Sequence, residues 1–141
     1  MTNKRMSDDA AAQALALLRE RGDQVLNAID DGVYFLDADG RAIFVNESAA
    51  RMTGFTAREL LGKSQHEMIH HHYADGRTFP QEECPIDLAA VEGVQQRVGG
   101  DVFWRKDGTP LPVDYTAIPI KHGRQILGVV VTFWDRGGRP I

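Results

Sequence analysis

The stretch Asp37 to Phe55, DADGRAIFVNESAARMTGF, restricts the fold of this chain more than any other segment. Two apolar runs, Val33-Tyr34-Phe35-Leu36 and Ala42-Ile43-Phe44-Val45, lie on either side of Asp39-Gly40. Asp-Gly between two such runs is the strongest short-range signal for a β-hairpin, because glycine reaches the positive φ of a tight turn without steric cost. Asn46 follows at once, where the free amides of a starting helix need a side-chain acceptor. The short helix expected over Glu47 to Met52 stops at Gly54, which can take the left-handed conformation that ends a helix.

The rest of the chain is read against this opening. A hydrophobic share of 43% with 26% charged residues is enough to build a core, so a disordered chain is excluded. The length of 141 residues suits one domain with a flanking helix. The net charge is −4 and no basic block is longer than Lys4-Arg5 or Arg105-Lys106, which excludes direct binding to nucleic acid and to an anionic membrane surface. The longest apolar run, Ile126 to Trp134, is interrupted by Gly128 and Thr132 and falls well short of the roughly 20 residues of a membrane span. No apolar segment follows Lys4 and Arg5, as a secretory signal requires. Cys84 is the only cysteine, which excludes an intramolecular disulfide. These features lead to the expectation of a cytoplasmic protein.

Residues 1 to about 7 read as a solvated tail. From Asp8 to Ile29, Ala11, Leu15, Leu18, Val25 and Ile29 recur at steps of four and three, with Gly22 in the missing register. That is an amphipathic helix with a narrow seam. The seam can pack on the domain's own sheet or pair with its copy, and Leu15, Leu18, Val25 and Ile29 are the candidate dimer contacts. The expected boundaries are 1–23 for tail and helix, 24–136 for the domain, and 137–141 for a C-terminal tail.

Thr56 and Glu59 form the two ends of a capping box for a second short helix that ends at Gly62. Residues 63 to 84 read as irregular and polar. Pro85, at a favoured first helical position, opens a further helix over PIDLAAVEGV. Three β runs follow, Val98 to Trp104, Leu111 to Ile120 and Ile126 to Trp134, joined by Lys106-Asp107-Gly108 and His122-Gly123-Arg124. Pro110, Pro112 and Pro119 cannot donate to a ladder, so an interruption or unpaired positions are expected in the middle one. Five strands with helices segregated between them make an α+β fold.

This order of parts has a family resemblance. GVYFLDADGRAIFVNESAARMTGFTARELLGKS resembles the N-terminal half of a PAS domain, and VFWRKDGTPLPVDYTAIPIKHGRQILGVVVTFWD resembles its C-terminal half, over about residues 24 to 135. The resemblance implies a five-stranded antiparallel sheet with short helices packed across one face and a pocket between. Asn46 matches the Asn that family members place after the second strand. Asp135 matches the acidic residue that ends the last strand and relays the signal to a C-terminal effector. Only Gly-Gly-Arg-Pro-Ile follows Arg136, so the chain is expected to be a piece of a longer protein with a histidine kinase or DNA-binding effector, or else to dock to a partner. The expected pocket lining is Phe35, Phe44, Met52, Met68, Ile86, Val91, Tyr115 and Phe133.

The segment HEMIHHHYADGRTFPQEECPID brings His66, His70, His71, His72 and Cys84 together in sequence. Imidazole and thiolate suit zinc or iron, although the spacing is that of no compact finger. The resemblance adds haem, with an axial ligand from His70, His71 or His72, or from Cys84, which precedes a proline as in haem-responsive segments. It also adds non-covalent flavin beside Trp104 and Trp134; the NCRFLQ string of flavin–cysteinyl photoreceptors is missing. Against all of these stands plain packing: Asp75-Gly76 turns the chain, the histidines hydrogen-bond within a polar loop, and Cys84 fills space as a small hydrophobe. Ser48 and Ser64 lack a nucleophile elbow and no phosphate loop is present, so no enzyme is expected. The expected function is a homodimeric signal-sensing PAS module that binds a small ligand or cofactor, haem or flavin among them. The alternatives are a ligand-free dimerisation module and a haem or metal sensor.

Overall fold

The computed structural model describes residue 13 and residues 20–137. Residues 20–28 are helical (α1). Five strands follow in the chain: β1 Gly32–Asp37, β2 Ala42–Val45, β3 Gln96–Trp104, β4 Pro110–His122 and β5 Gln125–Asp135. Between β2 and β3 lie the helices α2 Glu47–Thr53, α3 Ala57–Leu60, α4 Gln65–Ile69 and α5 Pro85–Glu92, with a 3₁₀ turn at Gln81–Glu83. The strands form one antiparallel sheet in the order β2-β1-β5-β4-β3. The first and last strands in sequence thus lie side by side at its centre, and the helices return along one face.

The opening hairpin forms as the sequence dictates. Phe35 faces Phe44 across it, Gly40 takes φ +82°, and the Asp37 carboxylate accepts from the amides of Asp39 and Arg41 at 2.9 and 3.0 Å. Asn46 caps α2 by accepting from Ala49 N, and Gly54 ends that helix at φ +77°. The Thr56–Glu59 capping box is present in both directions at the start of α3.

The core lies between the inner face of the sheet and the helices. Strand alternation sends Tyr34 and Leu36 of β1, Val113, Tyr115 and Ala117 of β4, and Val129, Val131 and Phe133 of β5 inward, all at most 3% exposed. Gly32 is part of the same arrangement: a Cβ there would fall 2.3 Å from the Phe133 ring. Phe35 and Phe44 belong to the opposite face, where their rings meet at a tilt with centroids 5.1 Å apart.

One sequence expectation is met only in part and another fails, each for a physical reason. The strand that carries the prolines is continuous. β5 ends at Asp135 opposite Val113, so at Pro110 and Pro112 the strand has a ladder partner only in β3, and the register shift after Ile120 absorbs the disturbance near Pro119. Residues 63 to 84 are not wholly irregular either. Ser64 Oγ accepts from Glu67 N and starts the one-turn helix α4, and Gln65, His66, Ile69 and His70 are buried. Ser64 and Glu67 stand at the same spacing as Thr56 and Glu59, which is the signal that marks this helix.

Candidate functional site

The polar residues that reach the core come from four places on the chain. α4 presents His66, and its C-cap is His70. Cys84 is the N-cap of α5, held by the 3₁₀ turn before it. Asp101 comes from β3, where Gly99 and Gly100 form a bulge between Val98 and Asp101. Gly100 adopts φ +76°, and its amide is held by Asp114 at 2.8 Å. The bulge turns Asp101 to the same face as Phe103, so that a carboxylate lies against the helix layer.

The three side chains form a chain of contacts. His70 Nδ1 is 3.3 Å from Cys84 Sγ, and His70 Nε2 is 2.8 Å from Asp101 Oδ2. A carboxylate only accepts, so the His70 proton on that side sits on Nε2 and donates to Asp101. His66 Nε2 is 2.7 Å from the Phe79 carbonyl, which also only accepts, so Nδ1 of His66 carries the lone pair. That Nδ1 is buried and has no hydrogen-bond partner. One ligand atom from each of His66, His70 and Cys84 lies within 4.8 Å of the others.

The surroundings are aromatic. The rings of Phe79, Phe103 and Tyr115 stand 4.7, 5.1 and 5.8 Å from the His70 ring, which is fully buried, and Cys84 is 1% exposed. Burial by itself would raise the Cys84 thiol, but the imidazoles of His66 and His70 outweigh it and bring it down to about 6. Burial likewise opposes charge on His70, and the partners Asp101 and Cys84 overcome it and lift the imidazole to about 9. Asp101 is held below its ordinary value: burial works upward, and the contact with His70 works downward and prevails. The three shifts all run in the direction that favours the thiolate–imidazolium–carboxylate form. Tyr34 and Tyr115 are both pushed up, first by burial. Their hydroxyls and Gln65 Nε2 make no hydrogen bond of proper geometry. Four buried polar atoms, His66 Nδ1 included, thus lack partners in this one region, where buried polar groups are normally paired.

The core leaves little room. A cavity of about 20 Å³ lies between Leu36, Gln65, His66, Cys84, Ile86 and Val129, and one of about 10 Å³ between Tyr34, Leu60, Gln65 and Met68. Each is about the size of one water site. A haem or flavin ring does not fit at Cys84 and His70, because aromatic side chains occupy the volume. His71 and His72 are elsewhere. Their Nδ1 atoms are 2.6 Å apart, and they line an open groove of about 420 Å³ with Phe55, Met68 and Trp104. His71 stacks on Trp104, whose indole donates to the His72 carbonyl at 2.8 Å.

The three adjacent histidines therefore do not act together. His70 points inward to Cys84, and His71 and His72 point away. His66 and Asp101 complete the buried centre; His66 was visible in sequence as the residue four before His70, while Asp101 had no sequence signal. The expected pocket lining also separates. Tyr115, Phe133 and Ile86 are in the core, Met52 and Met68 are half-buried at its edge, and Phe35 and Phe44 are on the far face of the sheet. Val91 is 70% exposed on the outer side of α5 and lines no interior space.

Asn46 is buried and fully bonded. Its Oδ1 accepts from Val33 N and Ala49 N at 2.9 Å, and its Nδ2 donates to the carbonyls of Leu26 and Asp31 at 2.8 and 3.1 Å. Asn27 Oδ1 accepts from Glu47 N, and Ser48 Oγ donates to the Ile29 carbonyl at 2.6 Å. The end of α1 is thereby tied to β1 and α2. Of the expected dimer contacts, Val25 and Ile29 are 62% and 38% exposed, and Leu15 and Leu18 lie outside the described residues. Asp135 is the last residue of β5. No helix among the described residues is long and apolar enough to cross a membrane.

Similar proteins agree with this architecture. The PAS domain of a Colwellia psychrerythraea protein superposes with a TM-score of 0.69 at 18% identity, covering 87% of this chain and 99% of that one. The PAS domain of nitrogen regulation protein NR(II) from Vibrio parahaemolyticus gives 0.60 at 21%, covering 81% and 96%. A domain of a sensory box sensor histidine kinase/response regulator from Geobacter sulfurreducens gives 0.64 at 20%, covering 86% and 96%. No curated protein matches the chain. The family model described as PAS fold matches residues 20–136, and with the five-stranded sheet and its helix layer this establishes that the chain belongs to the PAS family.

Proposed function

We propose that this PAS domain senses a small species at the buried centre of His66, His70 and Cys84 and relays its binding to an effector through a dimer interface. The observation that carries this reading is the set of four unpartnered buried polar atoms around one thiol. A core built only for packing gains nothing from them, since each costs about 1–3 kcal/mol unless something bonds it. The closed interior limits the species to an ion or a molecule of a few atoms. β5 leads from the core to Asp135, and the Asn46 bonds lead to α1, so both flanking segments are joined to the strands that enclose the centre. The exposed Val25 and Ile29 of the α1 segment are the dimer contacts in this reading. A histidine kinase is the favoured effector, because the similar structures include domains of such kinases. The setting is cytoplasmic.

The order Cys84–His70–Asp101 has the geometry of a thiol nucleophile with its base and orienting acid. We do not read it as catalytic, because no substrate carbonyl can approach a thiol that is 1% exposed. The second reading, a ligand-free dimerisation module, is favoured by the small size of the enclosed cavities. Native mass spectrometry separates the two. A bound mass that is lost on unfolding supports sensing at the centre. A bare chain mass, with core amide exchange unmoved by metal ions and small gases, leaves the interaction module.

A further inference from the structure

We propose that His66, His70 and Cys84 are the protein ligands of one divalent, thiophilic metal ion with the chemistry of zinc, held by two imidazole nitrogens and one thiolate. The inference rests on the sensing centre described above and names what occupies it. Three observations carry it. The ligand atoms already stand within 4.8 Å of one another. Around a tetrahedral ion with bonds of about 2.0–2.3 Å the same atoms would be about 3.3–3.6 Å apart, so a separation at the 4.8 Å limit must close by about 1.2–1.5 Å, shared between two side chains.

The second observation is that each imidazole is already oriented by a hydrogen bond from its far nitrogen. His70 Nε2 donates to Asp101 and His66 Nε2 to the Phe79 carbonyl, so both rings turn Nδ1 to the centre. Metal-binding histidines carry this carboxylate or carbonyl partner as a rule. His66 is 8% exposed, and its Nδ1 has no hydrogen bond of proper geometry, with the Cys84 thiol as the group it acts on.

The third is charge. A dication, the Cys84 thiolate and the Asp101 carboxylate sum to zero, whereas a monocation would leave a net negative charge in an aromatic core. Binding displaces the proton now shared between Cys84 and His70 to solvent, so the reaction is metal ion plus protonated site giving metal site plus a proton. Three protein ligands leave the fourth tetrahedral position for a water or small anion. An open position in an otherwise closed core would admit only a small exchangeable ligand.

The test uses the whole chain, stripped with a chelator and titrated with Co²⁺, then competed with Zn²⁺. The expected result is one equivalent bound, tetrahedral cobalt d–d bands, a near-ultraviolet thiolate-to-cobalt charge-transfer band, and loss of both on adding zinc. Cys84→Ser should abolish the charge-transfer band, His66→Gln should weaken binding at least about 100-fold, and Asp101→Asn about 10–100-fold. His71→Gln with His72→Gln should leave the spectrum unchanged. If Cys84→Ser does not fold, the charge-transfer band of the unsubstituted protein still reports sulfur ligation. The proposal is overturned if cobalt binds without that band, or if the His71/His72 variant loses it. A non-metal molecule found in the native mass would overturn the metal and leave the sensing centre; an empty core that takes up no metal would overturn both.

Discussion

Two buried polar centres differ in how far their hydrogen bonds are satisfied. At one, Asn46 uses its amide completely, with two acceptances and two donations at 2.8 to 3.1 Å. At the other, His66, Gln65, Tyr34 and Tyr115 each keep a buried atom without a partner. Both are surrounded by apolar packing, so the same desolvation cost applies to each. A satisfied centre fixes the relation of α1, β1 and α2 and has no capacity left for a ligand. An unsatisfied one stores unfavourable free energy that a bound species can release. In the reading proposed above, the first centre is architectural and the second is where a ligand would act.

The largest effect separating them should come from Asn46→Ala. It strands two amides and two carbonyls, and we expect a loss of about 2–4 kcal/mol in urea unfolding, with α1 released as judged by amide exchange. A loss below about 1 kcal/mol would remove Asn46 as the tie between the three elements. Next in size is Asp101→Asn in metal-free protein, where the imidazolium keeps its place but loses its carboxylate; the expected cost is about 1–3 kcal/mol.

Tyr115→Phe and Tyr34→Phe should go the other way. Each removes a hydroxyl that lies beside Gln65 or Asp101 without a well-formed hydrogen bond, so stability of the metal-free protein should stay level or rise by up to about 1 kcal/mol. A clear destabilisation would mean that these hydroxyls are bonded, and the contrast between the two centres would collapse. The smallest effect is expected from Val91→Ser, within about 0.5 kcal/mol, because that side chain is 70% exposed. A larger loss would return Val91 to an interior lining.

How far the sequence could be read follows the range of the forces involved. The hairpin at Asp39-Gly40, the Asn46 cap, the Gly54 stop and the Thr56–Glu59 box act over two to four residues, and each was legible. The same logic extended to Ser64 and Glu67 finds α4, which composition hid behind a run of polar residues. Alternation along Leu111 to Ile120 puts Val113, Tyr115 and Ala117 on one face, because period two is a property of the strand itself. It could not say that Phe35, one position from Tyr34, would face outward, since the hairpin pattern is apolar on both faces.

The sequence alone thus determined the fold family, through ordered local signals whose spacing few other architectures share. Tertiary structure alone decided the site. His70 reaches Cys84 across 14 residues and Asp101 across 31, and neither separation has any local energetic signature. Adjacent His70 and His71 part company only because the C-cap of α4 falls between core and groove. The Gly99-Gly100 bulge, a matter of strand pairing with β4, is what carries Asp101 inward. Caps and turns are settled by neighbours along the chain, whereas the charge and coordination of a buried centre depend on which distant side chains the packed sheet and helices bring to the same few ångströms.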